Sequence, residues 1–154
     1  MASFFEVPEG VVLMSIHKSM KRAIEHFNSG NISAYLDIYD SKCTIHGVPP
    51  GSSCDMEGAR QFYDGLIAAF PGAHLTLEDV LVDGEKAACR YTFRGTHKGD
   101  FMGLSPTGKM VTMTGMTILH FSGAKCIERW NEADIMGLMQ QLGAVPAASG
   151  ATRG

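Results

Sequence analysis

The acid–base side chains of this sequence concentrate near its C-terminal end. His120 precedes a Ser-Gly turn, and Glu128, Glu132 and Asp134 follow the turn on either side of Trp130. A carboxyl group held beside an apolar ring has a raised pKa, because burial disfavours its charged form, and this suits a general acid or base. This segment is therefore the candidate for general acid–base chemistry.

A structural role competes for Asp134. It directly precedes the apolar segment 135–142, and an aspartate at that place accepts hydrogen bonds from the free N–H groups of a helix, worth about 1 kcal/mol. Capping alone explains Asp134, and capping combined with a pocket role is the alternative. His46, at the end of the first predicted strand, is equally consistent with a core histidine and with a pocket group.

Patterns for metal or phosphate binding are weak. The six histidines form no H-x-x-x-H or H-E-x-x-H pair on a predicted helix, so we expect no metal site. Gly103, Gly108 and Lys109 fit part of a phosphate loop, but Met110 replaces the required Ser or Thr and a predicted strand follows. We interpret this segment as a hairpin and expect no cofactor.

Composition narrows the class of protein. The chain has 154 residues, 45% of them hydrophobic and 19% charged, with a net charge of −3. We expect one domain over 1–154, with a core at about 8–143 and a flexible tail at 144–154. A slightly acidic chain is a poor partner for nucleic acid, and we expect neither a signal peptide nor a membrane-spanning run. Four widely spaced cysteines are typical of reduced thiols, so we expect a cytoplasmic location.

Hydrophobic spacing predicts helices first and strands afterwards. Helical segments are expected near 12–27, 32–39, 56–70 and 135–142. Strands are expected at 42–47, 73–81, 86–97, 109–121 and 125–131, most of them joined by short turns. Strands joined by tight turns are antiparallel, so this order predicts an α+β fold with helices on one face of a curved sheet.

The last hairpin has two possible registers. If Ser122 opposes Lys125, Thr117 faces Trp130. If Phe121 opposes Lys125, Thr117 faces Arg129 and shares a side of the sheet with Asn131. A shift of one residue exchanges the side chains between the two faces, and we adopt the second register as a hypothesis.

Two segments carry a resemblance to a known family. One contains the phrase G-T-H-x-G-[DE]-F-x-G-x-x-P-T-G-K at 95–109, and the other, at 127–143, is IERWNEADIMGLMQQLG. From about Ala34 to Gly143 the chain resembles the SnoaL-like ester and polyketide cyclases of the NTF2-like superfamily. Here Arg129 occupies the place before Trp130.

The resemblance implies a fold and a reaction. It implies a cone of curved antiparallel sheet wrapped by N-terminal helices around an apolar pocket, often as a homodimer or larger oligomer. In these cyclases an aspartate in the last strand is the acid or base of a cofactor-independent aldol closure. That position falls on Asn131, which cannot accept a proton from carbon at neutral pH. A family histidine on the neighbouring strand falls on Thr117, and His46 matches a first-strand histidine.

Two functions are therefore open. In the first, Asp134 or Glu132 is the base, and Asn131, His46 and Thr117 position or polarise a carbonyl of a small hydrophobic compound. In the second, the protein binds such a compound, or a partner, without chemistry, which Asn131 in place of aspartate favours. The substrate pocket is expected to include Thr117, Trp130, Met113, Leu119, Phe62 and His120.

Overall fold

The computed structural model describes residues 8–146, and this part of the chain forms an α+β fold. The helices are α1 (Glu9–Asn28), α2 (Ile32–Leu36), α3 (Met56–Ala69) and α4 (Ile135–Gln141). The strands are β1 (Tyr39–His46), β2 (His74–Asp83), β3 (Lys86–Thr96), β4 (Met110–Ser122) and β5 (Lys125–Ala133). None of these helices is long and apolar enough to span a bilayer. Residues 147–154 of the expected tail lie outside the described residues.

The helices form where the sequence has helical periodicity and capping residues. Ile16, Met20, Ala23 and Phe27 of α1 recur at steps of three and four residues and are buried. Each of the other three helices begins at a side-chain cap. Asn31 accepts from Ala34 N at 3.1 Å, Asp55 from Gly58 N at 2.9 Å and Asp134 from Gly137 N at 2.8 Å.

The five strands form one sheet in the order β1-β5-β4-β3-β2. Strands β2 to β5 are antiparallel neighbours, as the sequence predicts, whereas β1 pairs with β5 in parallel. The link between β3 and β4 contains an isolated bridge between Phe101 and Leu104. The parallel edge strand matters for the site, since it places Ile45 beside Arg129.

A β-bulge sets the register of the last hairpin. Ser122 pairs with Lys125, which contradicts the second of the two expected registers. Ile127 is then an extra residue, because Phe121 pairs with Cys126 while His120 pairs with Glu128. Past the bulge Thr117 pairs with Asn131, so these two share a face, as expected, but through a pairing that neither register contained.

One face of the sheet packs against the helices. On β3, the buried side chains Ala87, Cys89, Tyr91 and Phe93 lie at every second position and identify the inner face, although Thr92 between them is also buried. Helix α1 packs near β2 and α3 near β1. Between the helices and this inner face the core is incomplete, and the remaining space is the candidate site.

Candidate functional site

A cavity of about 390 Å³ lies between the inner face of the sheet and helices α1 to α3. Its walls are largely apolar, with Met20, Phe27 and Leu66 from the helices and Phe93, Met113 and Leu119 from the sheet. A cavity of this volume with apolar walls and a few polar groups has the character of a small-molecule site.

The polar part of the cavity is organised by one buried cation. Arg129 of β5 is 7% exposed, and its Nε donates to Thr117 Oγ1 at 2.8 Å. Its Nη1 donates to the hydroxyls of Tyr39 and Tyr63 at 2.8 and 2.7 Å, and its Nη2 donates to Asn131 Oδ1 at 3.0 Å. We call Arg129 and these four acceptors the Arg129 cluster.

The acceptors of the Arg129 cluster are uncharged side chains. Among residues 8–146 the ion pairs join other groups, and Arg129 forms none. Burial lowers the pKa of the guanidinium, but the neighbouring tyrosines Tyr39, Tyr63 and Tyr35 outweigh it and leave the pKa above its usual value. Arg129 is therefore a full positive charge held by neutral hydrogen-bond acceptors.

Tyrosines extend the cluster on the helix side and along the sheet. The hydroxyls of Tyr35 and Tyr63 lie 3.1 Å apart, and that of Tyr91 donates to Asn131 Oδ1 at 3.0 Å. Burial raises the pKa values of Tyr35, Tyr39 and Tyr91 above their usual value, because a phenolate would lose its hydration. These hydroxyls are uncharged at neutral pH.

The hydrogen bonds fix the orientation of the Asn131 amide. Its Oδ1 accepts from both Arg129 and Tyr91, and a guanidinium can only donate. The oxygen must therefore point into the cluster, which leaves the NH₂ group on the other side. Within the described part of the chain nothing accepts from this NH₂, and Asn131 is among the residues that line the cavity.

The structure brings together several of the residues expected from sequence. Thr117, Asn131, Met113, Leu119 and Phe62 all line the cavity.

His46 and Glu132 lie at the rim of the cavity, and their side chains are less buried than those in its interior. Both are among the lining residues. Glu132 is exposed and alternates along β5 with the inward-facing Asn131. The ring of His46 stacks on Trp130, with centroids 5.4 Å apart, and its Nε2 lies 2.9 Å from Glu128 Oε1. Glu128 and Trp130 alternate with Arg129, so the His46 ring lies on the outer side of the sheet.

Three expected site residues lie away from the cavity walls. Trp130 is on the outer face, where the Lys86 ammonium lies 5.7 Å from its ring centroid. His120 pairs with Glu128 on that face and lies 3.8 Å from Glu85. Asp134 is exposed and caps α4, as the structural alternative predicted. The bulge and the cap turn these three side chains away from the cavity, so none of them is among its lining residues.

The amino-acid sequence alone indicates neither the tyrosines of the site nor the role of Arg129. Tyr39 comes from β1 and Tyr63 from α3, so no spacing in the sequence joins them to Arg129. One signal was present, since Arg129 and Asn131 are two residues apart in a strand and must share a face.

With this geometry in place, comparison with known proteins identifies the family. A family model for SnoaL-like polyketide cyclases matches residues 18–142. The chain belongs to this family. Its α+β fold, with helices covering one face of a curved five-stranded sheet, is the NTF2-like fold that the resemblance implied.

Solved structures of SnoaL-like proteins match over most of their length. IdmH from Streptomyces antibioticus, described as a candidate polyketide cyclase, is 30% identical over 82% of this chain and 97% of its own, with a TM-score of 0.71. A candidate polyketide cyclase from Bacillus cereus is 25% identical over 85% of this chain and 82% of its own, with a TM-score of 0.72.

A third structure agrees in fold alone. AclR from Streptomyces galilaeus, described as a candidate hydroxylase, is 20% identical over 93% of this chain and 87% of its own, with a TM-score of 0.79. No curated protein matches the chain. Neighbours of one fold thus carry descriptions of different reactions, and the reaction of this SnoaL-like protein must be argued from its own site.

Proposed function

We propose that the protein binds a small hydrophobic carbonyl compound in its cavity and promotes a cofactor-independent aldol-type ring closure or a related isomerisation. The observation that carries this proposal is the orientation of Asn131. Its amide oxygen is held by Arg129 and Tyr91, so its NH₂ is left to donate to a carbonyl oxygen in the cavity. A fixed donor among apolar walls stabilises the charge that develops on that oxygen.

The proposed reaction needs only proton transfers and one new carbon–carbon bond. A base removes a proton from a carbon beside the carbonyl, and the electron pair moves to the oxygen that Asn131 holds. The resulting enolate carbon attacks a second carbonyl carbon of the same molecule, and the oxygen of that carbonyl takes up a proton. In an isomerisation the proton returns instead to another carbon.

The proton acceptor of this proposal lies at the cavity rim. Glu132 is the carboxylate among the lining residues. His46 is also a lining residue, but its ring stacks on Trp130 and bonds to Glu128 on the outer side of the sheet, facing away from the cavity. We assign the base to Glu132, in place of Asp134 and His46.

The test is deuterium exchange into an aryl β-keto ester, followed by NMR, because this reports enolate formation whether or not a ring closes. Asn131→Ala is expected to lower the enzyme-catalysed rate about 10²–10³-fold, as for other lost oxyanion donors. Glu132→Gln is expected to lower it about 10²–10⁴-fold, because this variant removes the base.

Asp134→Asn is the matched control, because asparagine caps a helix about as well as aspartate. Its exchange rate is expected to equal that of the unmodified protein. A loss of two orders of magnitude in this variant, with the fold intact, would restore Asp134 as the base and overturn the assignment to the rim.

A second function is favoured by a different observation. Within the described residues the deep part of the cavity contains no carboxylate and no imidazole ring, only a guanidinium, an amide and hydroxyls. Such a lining suits a protein that binds its ligand without transforming it. Tight binding of an aryl ketone with no acceleration of exchange would favour this function over catalysis.

Two further expectations stay predictions. The spacing of the cysteines predicts reduced thiols and a cytoplasmic location. The family resemblance implies a homodimer or larger oligomer. Sedimentation of the purified protein tests the oligomer.

A further inference from the structure

The charge of the Arg129 cluster points to a particular class of ligand. A buried ion is costly unless its charge is compensated, and a guanidinium cannot escape by losing its proton. Most buried arginines are paired with a carboxylate, but here all four acceptors are neutral. Within residues 8–146 the charge has no counterpart.

The hydrogen-bond inventory shows where a counter-ion would bind. A guanidinium has five N–H groups. One on Nε, two on Nη1 and one on Nη2 are used, which leaves one N–H on Nη2 without an acceptor among the described residues. This Nη2 also donates to Asn131, whose NH₂ is free as well. Two unused donors therefore lie on adjacent groups that both line the cavity.

We propose that the ligand is a hydrophobic carboxylic acid, bound as its anion, with the carboxylate paired to Arg129 and the apolar part among the cavity walls. This rests on the proposed function in one respect, namely that the cavity is the ligand site. It goes further by excluding a neutral ester or amide as the preferred class. A carboxylate next to the reacting carbonyl would engage Arg129 and Asn131 together.

The experiment compares matched acids and primary amides, which have the same shape and differ in charge. The pairs are benzoate and benzamide, 2-naphthoate and 2-naphthamide, and anthracene-2-carboxylate and its amide, measured by calorimetry at neutral pH. A buried hydrogen bond to a charged group predicts that the acid of the best-fitting pair binds about ten- to a hundredfold more tightly.

Variants test whether Arg129 is the residue that makes the cavity prefer the acid to the amide. In Arg129→Met the acid and the amide are expected to bind with equal affinity, while Arg129→Lys keeps part of the preference because it keeps the charge. Arg90→Met is the control, since Arg90 is an exposed arginine of β3 paired with Asp79 at 2.7 Å, and it is expected to change nothing. The comparison on the unmodified protein stands even if Arg129→Met fails to fold.

Each outcome decides something different. Equal binding of acid and amide to the unmodified protein overturns the carboxylate proposal and leaves the cavity as a ligand site. A preference that survives in folded Arg129→Met overturns the assignment to Arg129. If no acid or amide of any ring size binds, the cavity is not a ligand site for such compounds, and the proposed function fails together with this inference.

Discussion

The two faces of strand β5 carry opposite kinds of chemistry. The inner face carries Arg129 and Asn131 in a buried network of hydroxyls and an amide. The outer face carries Glu128 and Trp130, to which His46 and Lys86 add an ion pair, a stacked ring and a cation–π contact. We call these four residues the His46 cluster.

The comparison shows that reactive residue types are a poor guide to a site. The His46 cluster contains the groups usually sought in an active site, yet the side chains of its ion pair are 43% and 37% exposed. The Arg129 cluster contains no carboxylate or imidazole, yet it lies against the cavity. Burial and orientation, more than residue type, decide which face can act on a ligand.

Removing bulk from each face should give the largest contrast. Phe93→Ala on the inner face, where the side chain is 1% exposed, is expected to lower the free energy of unfolding by about 3–5 kcal/mol. Met116→Ala on the outer face, where the side chain is 64% exposed, should change it by less than about 0.5 kcal/mol. Urea unfolding measures both, and similar losses would show that the outer face is covered in solution.

Alkaline pH should lower the free energy of unfolding through the groups buried between the sheet and the helices. Burial raises the pKa values of Tyr35, Tyr39 and Tyr91, and that of Cys89 to about 11, so the folded state keeps protons that the unfolded chain releases. This stability is complete below the unfolded pKa values and falls as pH rises, by about 1.4 kcal/mol per pH unit for each group.

Urea unfolding at neutral pH and at about pH 11 measures this loss, because free tyrosine has already lost most of its proton at the higher pH. In Tyr39→Phe one titrating hydroxyl is absent, and the slope should be shallower. Stability that stays flat above the ordinary tyrosine pKa would mean that water reaches these hydroxyls.

Asn131→Asp should convert the Arg129 cluster into an ion pair. The new carboxylate would accept from Arg129 and Tyr91 at the positions of Oδ1, so the free energy of unfolding should rise by about 1–2 kcal/mol. The pair also neutralises the charge proposed to bind ligand, so 2-naphthoate should lose its advantage over 2-naphthamide. Asn28→Asp, at an asparagine outside the cavity lining, is the control. Unchanged selectivity would contradict the role of Arg129.

The His46 cluster should give the smallest effects. An exposed ion pair contributes about 0–1 kcal/mol, so Glu128→Gln should change the free energy of unfolding within that range. The affinity for aromatic acids should not change, because Glu128 lies on the other face from Arg129. A tenfold loss of affinity in this variant would show that the outer face communicates with the cavity.

Local patterns in the sequence predict the elements of this fold but not how they meet. The stripe Ile16, Met20 and Phe27 identifies α1, because helical periodicity is a property of neighbouring residues. The parallel pairing of Ile45 with Arg129 joins residues far apart in sequence, and no local pattern encodes it.

The candidate site was predicted in part for the same reason. Thr117 and Asn131 were expected on one face, and they are, although the bulge that aligns them was not anticipated. Tyr39 and Tyr63 reach Arg129 from a strand and a helix that meet it only in the folded chain. The family resemblance supplied the position of Asn131, but it carried no information on the burial of Arg129 or on the side chains that surround it.

The bulge at Ile127 determines which side chains of β5 face the cavity. Regular pairing from Ser122 and Lys125 would turn Glu128 and Trp130 inward and Arg129 outward. One nine-residue strand therefore encodes two alternative interiors, one acidic and one cationic. The position of the extra residue therefore determines which of the two sets of side chains faces the cavity.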